Sequence, residues 1–325
     1  MSGLRTTRIP HTDLEVSRLA YGGVQFAAWD RNPITAEEIH KGIGLVDVAL
    51  EQGITLFDHA DIYGHGKCEE VFSAVWEAIP DARERMVLQS KCGIRRPEDD
   101  KSITHYDFSY EHITSAVEGS LKRLKVERLD VLLLHRPDAL VEPDEVGRAV
   151  AHLKTQGMIR YLGVSNHNIG QIALLQRSLA EPLVANQLEL SLLHHGLISD
   201  GLIINTPGTP QAQSLSGLLD YCRLHGLQIQ AWSPAAKGRL GSPPGDAPRS
   251  VHDTKRLVME LAARKGCPED AIVLAWLLHH PAEIVPIIGT SRADRLRASC
   301  EADRVELSRE EWYRLLAVAR GRSVP

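Results

Sequence analysis

The chain has 325 residues, of which 43% are hydrophobic and 24% charged, with a formal net charge of −5. Such a composition belongs to a globular chain with enough residues for a large core, and the length suits one α/β barrel with added loops, residues 1–325 forming a single domain. No basic stripe favours nucleic acid as a partner, no apolar run nears the roughly 20 residues that span a bilayer, and no apolar leader opens the chain, so a cytoplasmic protein without a membrane partner is expected.

In chain order, residues 5–18 read as a hairpin that would cap the bottom of a barrel. Short runs rich in Val, Ile and Leu then alternate with amphipathic ones, as buried parallel strands alternate with helices. The first strand is 19–22, followed by a helix over 36–52 that stops at Gly53. Strand 54–58 precedes a helix over 67–78, ended by Pro80. Strand 86–90 leads through a polar loop, 95–109, into a helix over 110–125 with Ile113, Val117, Leu121 and Leu124 at helical spacing. Strand 130–135 and a helix over 143–156 follow, the helix opening on Pro143 and stopping at Gly157. Strand 160–165, a helix over 169–178 and strand 183–187 lead to a second long loop, 200–214. A helix over 215–225, strand 228–232, a third loop over 238–249 and a helix over 253–265 come next. The eighth strand is 284–288 and its helix 292–302; helices over 269–279 and 309–319 are additions.

Eight strand-then-helix units predict a (β/α)8 TIM barrel with an N-terminal hairpin and two extra helices. The rival, an open doubly wound sheet, would announce itself with G-x-G-x-x-G after a strand. Gly42 and Gly44 fall inside a helix, and Gly64 and Gly66 are followed by Glu69 where the third glycine is needed.

The strands end in polar residues: Asp58, then Lys91, His135, Ser165 with Asn166, Gln187, and Trp232 with Ser233. Taken singly, Asp58 reads as a strand-end cap, Lys91 as a solvated cation, Tyr63 as a packed loop residue, His135 and Trp232 as core. Together they point to one site at the C-terminal mouth of a barrel. A lysine beside a tyrosine favours tyrosinate, so Lys91 is expected to lower the Tyr63 pKa and make it a better proton donor, while His135 orients a carbonyl oxygen. That set suits carbonyl reduction. The five cysteines, Cys68, Cys92, Cys222, Cys267 and Cys300, are scattered and form no C-x-x-C pair, which argues against disulfides and zinc. Cys92, beside Lys91, reads as a small buried residue rather than a redox-sensitive thiol. The pairs His194–His195 and His279–His280 point apart, so no metal is expected.

Phe57-Asp-His-Ala-Asp-Ile-Tyr-Gly64 resembles the signature of the aldo-keto reductase family, as do Gln89-Ser-Lys-Cys-Gly93, Asp130-Val-Leu-Leu-Leu-His-Arg-Pro137, Gly163-Val-Ser-Asn166 and Ala185-Asn-Gln187, in family order. The resemblance implies Tyr63 as general acid or base, Lys91 tuning it, Asp58 holding Lys91, and His135 orienting the substrate. It implies NADP, with NAD as the second choice, and a small carbonyl or alcohol substrate. Ser165, Asn166 and Gln187 would grip the nicotinamide amide and Trp232 would stack on its ring. Gly22, Ser233, Gly238 and Arg239 would lie along the cofactor. Thr290, Ser291 and Arg295 would surround a 2′-phosphate, with Gly289 and Ser299 beside them. Two departures bear on NADP: Gly289 stands near the place of a common lysine, and Ser299 where an asparagine often contacts adenine. His59 replaces a common threonine, and a supporting role behind the site is expected for it.

Three alternatives remain open at this point. They are an NAD-dependent dehydrogenase of a sugar or pyridoxal-like alcohol, a metal-dependent barrel hydrolase using Asp58, His59 and Asp61, and a cofactor-binding protein without turnover, of the kind that serves as a channel-associated subunit.

Overall fold

The computed structural model describes residues 3–97, 102–202 and 217–325. Hairpin strands β1 (Thr6–Arg8) and β2 (Glu15–Ser17) precede β3 (Ala20–Gly22), β4 (Leu56–Asp58) and β5 (Val87–Cys92). A two-residue pair, β6 (Ile94–Arg95) and β7 (His105–Tyr106), stands before β8 (Leu129–Leu134), β9 (Ile159–Ser165), β10 (Ala185–Glu189), β11 (Gln228–Trp232) and β12 (Val285–Ile288). Eight of these strands close into a barrel in the order β10-β11-β12-β3-β4-β5-β8-β9, every pairing parallel. These are the eight strands expected, with ends shifted by one or two residues.

The helices are α1 (Ala36–Glu51), α2 (Lys67–Ser73), α3 (Val75–Ala78), α4 (Tyr110–Leu124), α5 (Pro143–Thr155), α6 (Ile169–Gln176), α7 (Gly196–Ser199), α8 (Leu218–Leu224), α9 (Arg249–Lys265), α10 (Glu269–Leu278), α11 (Ala293–Cys300) and α12 (Arg309–Arg320). Local chemistry sets several ends. Thr35 and Glu38 form a capping box on α1, Asn168 and Gln171 on α6, and Ser308 and Glu311 on α12. Gly266 and Gly321 end α9 and α12 in the left-handed conformation. Three details differ from expectation. The 67–78 helix is divided at Ala74. Helix α9 starts at Arg249, four residues early, because Pro248 supplies a ready N-terminus. The polar loop after β5 carries the antiparallel pair β6–β7. Most of the 200–214 loop and the first residues of the 215–225 helix lie outside the described residues.

The added helices α10 and α12 are joined by stacked Trp276 and Trp312, ring centroids 5.3 Å apart, each indole N–H donating to the other's carbonyl. Among the described residues no helix is long and apolar enough to cross a membrane.

The barrel interior is layered. At its N-terminal end Ile9, Leu14 and Val16 of the hairpin pack on Ala20, Leu56, Val87, Val131, Val184 and Val285 and seal the floor. A buried layer of Gln89, Gln187 and Gln230 follows, then Asp58 and Lys91. The apolar sleeve between strands and helices forms the larger core.

Candidate active site

Asp58 ends β4, and its register partner on β5 is Gln89. Two residues further, Lys91 faces the same interior. The chain leaves β4 and turns at Tyr63–Gly66, with Gly64, His65 and Gly66 all at positive φ. That turn returns the Tyr63 ring over the barrel mouth; a side chain at Gly64 would press on the Ala28 carbonyl as well as strain the backbone.

Lys91 Nζ donates to Asp58 Oδ2 at 2.7 Å, to the His59 carbonyl at 2.8 Å and to Tyr63 Oη at 3.0 Å. An ammonium group is a donor only, so all three protons are used and Tyr63 Oη is the acceptor. The tyrosine's own proton is therefore turned away from Lys91, toward the cleft. Burial would lower the Lys91 pKa, yet Asp58 and Tyr63 hold it raised, so the lysine stays charged. The Tyr63 pKa is raised, not lowered: burial outweighs the opposing pull of Lys91, and Asp58 adds to the rise. This corrects the expectation drawn from the lysine alone. Tyr63 is a neutral acid throughout the neutral range, with Lys91 limiting how weak an acid burial makes it.

His135 follows β8, its backbone N–H bonded to the Cys92 carbonyl, and its ring meets the Tyr63 ring edge to face at 6.0 Å. Burial, Lys91 and Arg136 keep its pKa well below the usual histidine value, so the imidazole is neutral and carries one N–H to give.

Tyr63, His135 and Asp58 line a cleft of about 630 Å³, together with Gly22, Ser165, Asn166, Gln187, Trp232, Ser233, Gly238, Gly289, Thr290, Ser291, Arg295 and Ser299. Lys91 reaches it through Tyr63. Arg239 does not line it: the turn Ala236–Gly238, with Lys237 at φ 57°, sends Lys237 to the cleft and Arg239 to the surface. At the inner end Ser165 Oγ donates to the Gln187 carbonyl at 2.8 Å, and Asn166 Nδ2 donates to Ser165 Oγ at 2.8 Å and to the His135 carbonyl at 3.3 Å. Trp232 Nε1 donates to Asn166 Oδ1 at 3.1 Å. Asn166 and Ser233 hold positive φ, local strain of the kind that gathers at functional sites. Arg136 and Lys237 lie 5.7 and 5.4 Å from the Trp232 ring centroid.

At the outer end the N-terminus of α11 stands beside Thr290 and Ser291, where helix amides favour an anion. Arg295 grips Asp270 with both arms of its fork, at 2.9 and 3.0 Å, and Arg292 pairs with Asp294. An aromatic shelf, a buried set of amide acceptors and a hydroxyl-and-arginine pocket along one cleft form a donor and acceptor set that fits a dinucleotide.

Arg136, Asp270, Gln89 and Gln230 are contributors that sequence reasoning passed over. Glutamine in the middle of a buried strand was a usable signal for two of them; Asp270 lies on an added helix and had none. His59 is 0% exposed against Phe72 and Phe26, its nitrogens without partners among the described residues and its pKa pushed down to about 3. It supports the site through its carbonyl, which receives Lys91. Cys92 is buried, with its thiol pKa raised by desolvation, an unreactive setting.

The chain matches the Aldo/keto reductase family over residues 18–320. It is 36% identical over 324 residues to a 6-dehydroglucose reductase of Novosphingobium aromaticivorans, covering 98% of this chain and 96% of that one. It is 34% identical over 317 residues to the oxidoreductase YcsN of Bacillus subtilis, covering 96% and 97%. The fold is shared with a glycerol dehydrogenase from Gluconobacter oxydans at a TM-score of 0.81 and 23% identity, over 98% of this chain and 95% of that one. The chain belongs to the aldo/keto reductase family and is an oxidoreductase.

Proposed function

We propose that the protein is an NADP(H)-dependent reductase of small carbonyl compounds, with Tyr63 as general acid. The observation that carries this reading is the Asp58–Lys91–Tyr63 chain, which leaves the Tyr63 proton pointing into the cleft opposite a neutral His135. The reduced nicotinamide, when bound, supplies a hydride. Tyr63 gives its proton to the substrate oxygen, His135 orients that oxygen with an N–H, and Lys91 steadies the growing negative charge on Tyr63. Ser165, Asn166, Gln187 and Trp232 would hold the nicotinamide, and Thr290, Ser291 and Arg295 the 2′-phosphate. In the reverse direction a deprotonated Tyr63 is the base. The NAD-linked dehydrogenase is a second reading, favoured by one observation: Asp270 occupies Arg295 and puts a carboxylate in the wall where a 2′-phosphate would sit.

Titration with NADPH and NADH, followed by tryptophan quenching alongside Trp232→Phe, tests the cofactor. Tighter NADPH binding is expected, with a weaker quench in the variant; tighter NADH would replace NADP in this reading, and binding of neither would overturn it. In a panel of small aldehydes that includes a polyhydroxylated one, for the kinship with 6-dehydroglucose reductases, Tyr63→Phe should lower kcat by about 10²–10⁴-fold while dinucleotide binding persists.

A further inference from the structure

Gln89 on β5 and Gln230 on β11 occupy opposite sides of the barrel, four strands apart in either direction, and both are 0% exposed. Their amides pair head to head across the axis: Gln89 Nε2 donates to Gln230 Oε1 at 2.8 Å, and Gln230 Nε2 to Gln89 Oε1 at 3.0 Å. The other Gln89 amide proton goes to Asp58 Oδ1 at 2.6 Å. Gln187 Nε2 sends one proton to Asp58 Oδ1 at 3.0 Å and one to Gln230 Oε1 at 3.1 Å. Apolar side chains would fill such a layer without needing partners, so buried amides call for a reason beyond packing.

We propose that Gln89 and Gln230 are positioning residues that lock the Gln187 amide, so that Gln187 offers only its oxygen to the nicotinamide carboxamide, and that brace Asp58 against Lys91. The inference rests on the dinucleotide reading above. An amide nitrogen has two protons, and both of those on Gln187 are committed inward. Asn166 is committed in the same sense, its two Nδ2 protons going to Ser165 Oγ and the His135 carbonyl, and the Ser165 hydroxyl donates to the Gln187 carbonyl. The grip on the carboxamide is therefore made of acceptors. It reads the cofactor's NH2 group, and Gln230 together with Asp58 prevents Gln187 from turning its own NH2 outward.

The test compares the wild-type protein with Gln89→Leu/Gln230→Leu, which removes both members of the buried pair while Asp58 keeps Lys91 and Gln187 as donors. The probes are NADP+ and its 3-acetylpyridine analogue, which keeps the carbonyl but lacks the NH2 group. The wild type should bind NADP+ about tenfold more tightly, the worth of one hydrogen bond of about 1.4 kcal/mol. The double variant should narrow that ratio to about threefold or less and lose about tenfold or more in kcat, with an unchanged KM for the carbonyl substrate and a melting temperature within a few degrees of wild type. Should the double variant not fold, Gln230→Met, which removes the Gln230 amide and keeps Gln89, is read by the same ratio. A folded variant with the wild-type ratio and kcat overturns the inference and leaves the cofactor reading standing. Failure of the wild type to bind either dinucleotide overturns both.

Discussion

Lys91 has three protons and three acceptors, and this arithmetic governs both the site's chemistry and its fragility. Lys91→Met takes away the only cation at hydrogen-bond distance from the buried Asp58 among the described residues. An uncompensated buried charge costs about 3–5 kcal/mol. It also removes the charge and the hydrogen bond by which Lys91 opposes the rise of the Tyr63 pKa, so the acid weakens further. Thermal unfolding and steady-state turnover should therefore fall together in Lys91→Met, turnover by about 10²-fold or more. Asp58→Asn/Lys91→Met removes both charges. It should regain most of the stability and none of the turnover; recovery of turnover would show that the lysine serves packing rather than Tyr63. The same electrostatics fix the pH profile. His135 is held well below its usual value of 6.5, so reduction should show no acid limb near pH 6.5, while oxidation should climb into the alkaline range as Tyr63 loses its proton. An acid limb at 6.5 in the pH dependence of kcat would remove His135 from its neutral role.

At the scale of elements, floor and mouth of the barrel are separable. The hairpin β1–β2 closes the floor with Ile9, which is 0% exposed, on the far side of the glutamine layer from Tyr63. Ile9→Ala should cost about 2–5 kcal/mol in denaturant unfolding, as buried isoleucine deletions do, with kcat per folded molecule unchanged. A kcat falling in step with stability would mean that the floor and the mouth move as one. These elements were also the most legible in the sequence. A parallel strand buried on both faces must be an apolar run, so the eight strands declared themselves, and so did the polar residues at their ends. Asp58, Lys91, His135 and Gln187 could be taken from strand ends, because a barrel gathers its C-terminal ends at one mouth. What spacing does not carry is contact across the axis or the degree of desolvation. Gln89 and Gln230 are 141 residues apart. Asp270 meets Arg295 from an added helix, and the direction of the Tyr63 shift depends on how dry the cleft floor is. Arg239 was misplaced because sequence spacing does not show which side chains of the turn after β11 reach the cleft: Lys237 and Gly238 line it and Arg239 does not.

For the molecule as a whole, the buried titratable groups set a stability optimum near neutrality. His59 and His167 are buried with pKa values pushed down to about 3 and about 4, and His135 is lowered as well, each chiefly by desolvation. In the unfolded chain these histidines titrate near 6.5, so below that pH the unfolded state binds protons that the folded state refuses. Stability then falls with acid, by up to about 1.4 kcal/mol per pH unit for each such group, until the folded pKa is reached. Asp61 acts in the opposite sense. Its carboxyl is pushed up to about 8 by burial and by Glu69, so between its ordinary value of 3.8 and 8 the folded state keeps a proton that the unfolded state has released. Its contribution is present at low pH and is lost as the pH rises to 8. Together these histidines outweigh Asp61 on the acid side of 6.5; above 6.5 they fall silent and the loss from Asp61 remains. The melting temperature of the cofactor-free protein should rise from pH 5 to about 6.5 and decline gently toward pH 8. His59→Leu removes two buried nitrogens that lack partners and should make the acid side of that curve shallower. A curve of unchanged steepness in this variant would mean that the His59 ring reaches solvent before the molecule unfolds, so that its burial opposes protonation only locally and the remaining histidines carry the acid loss.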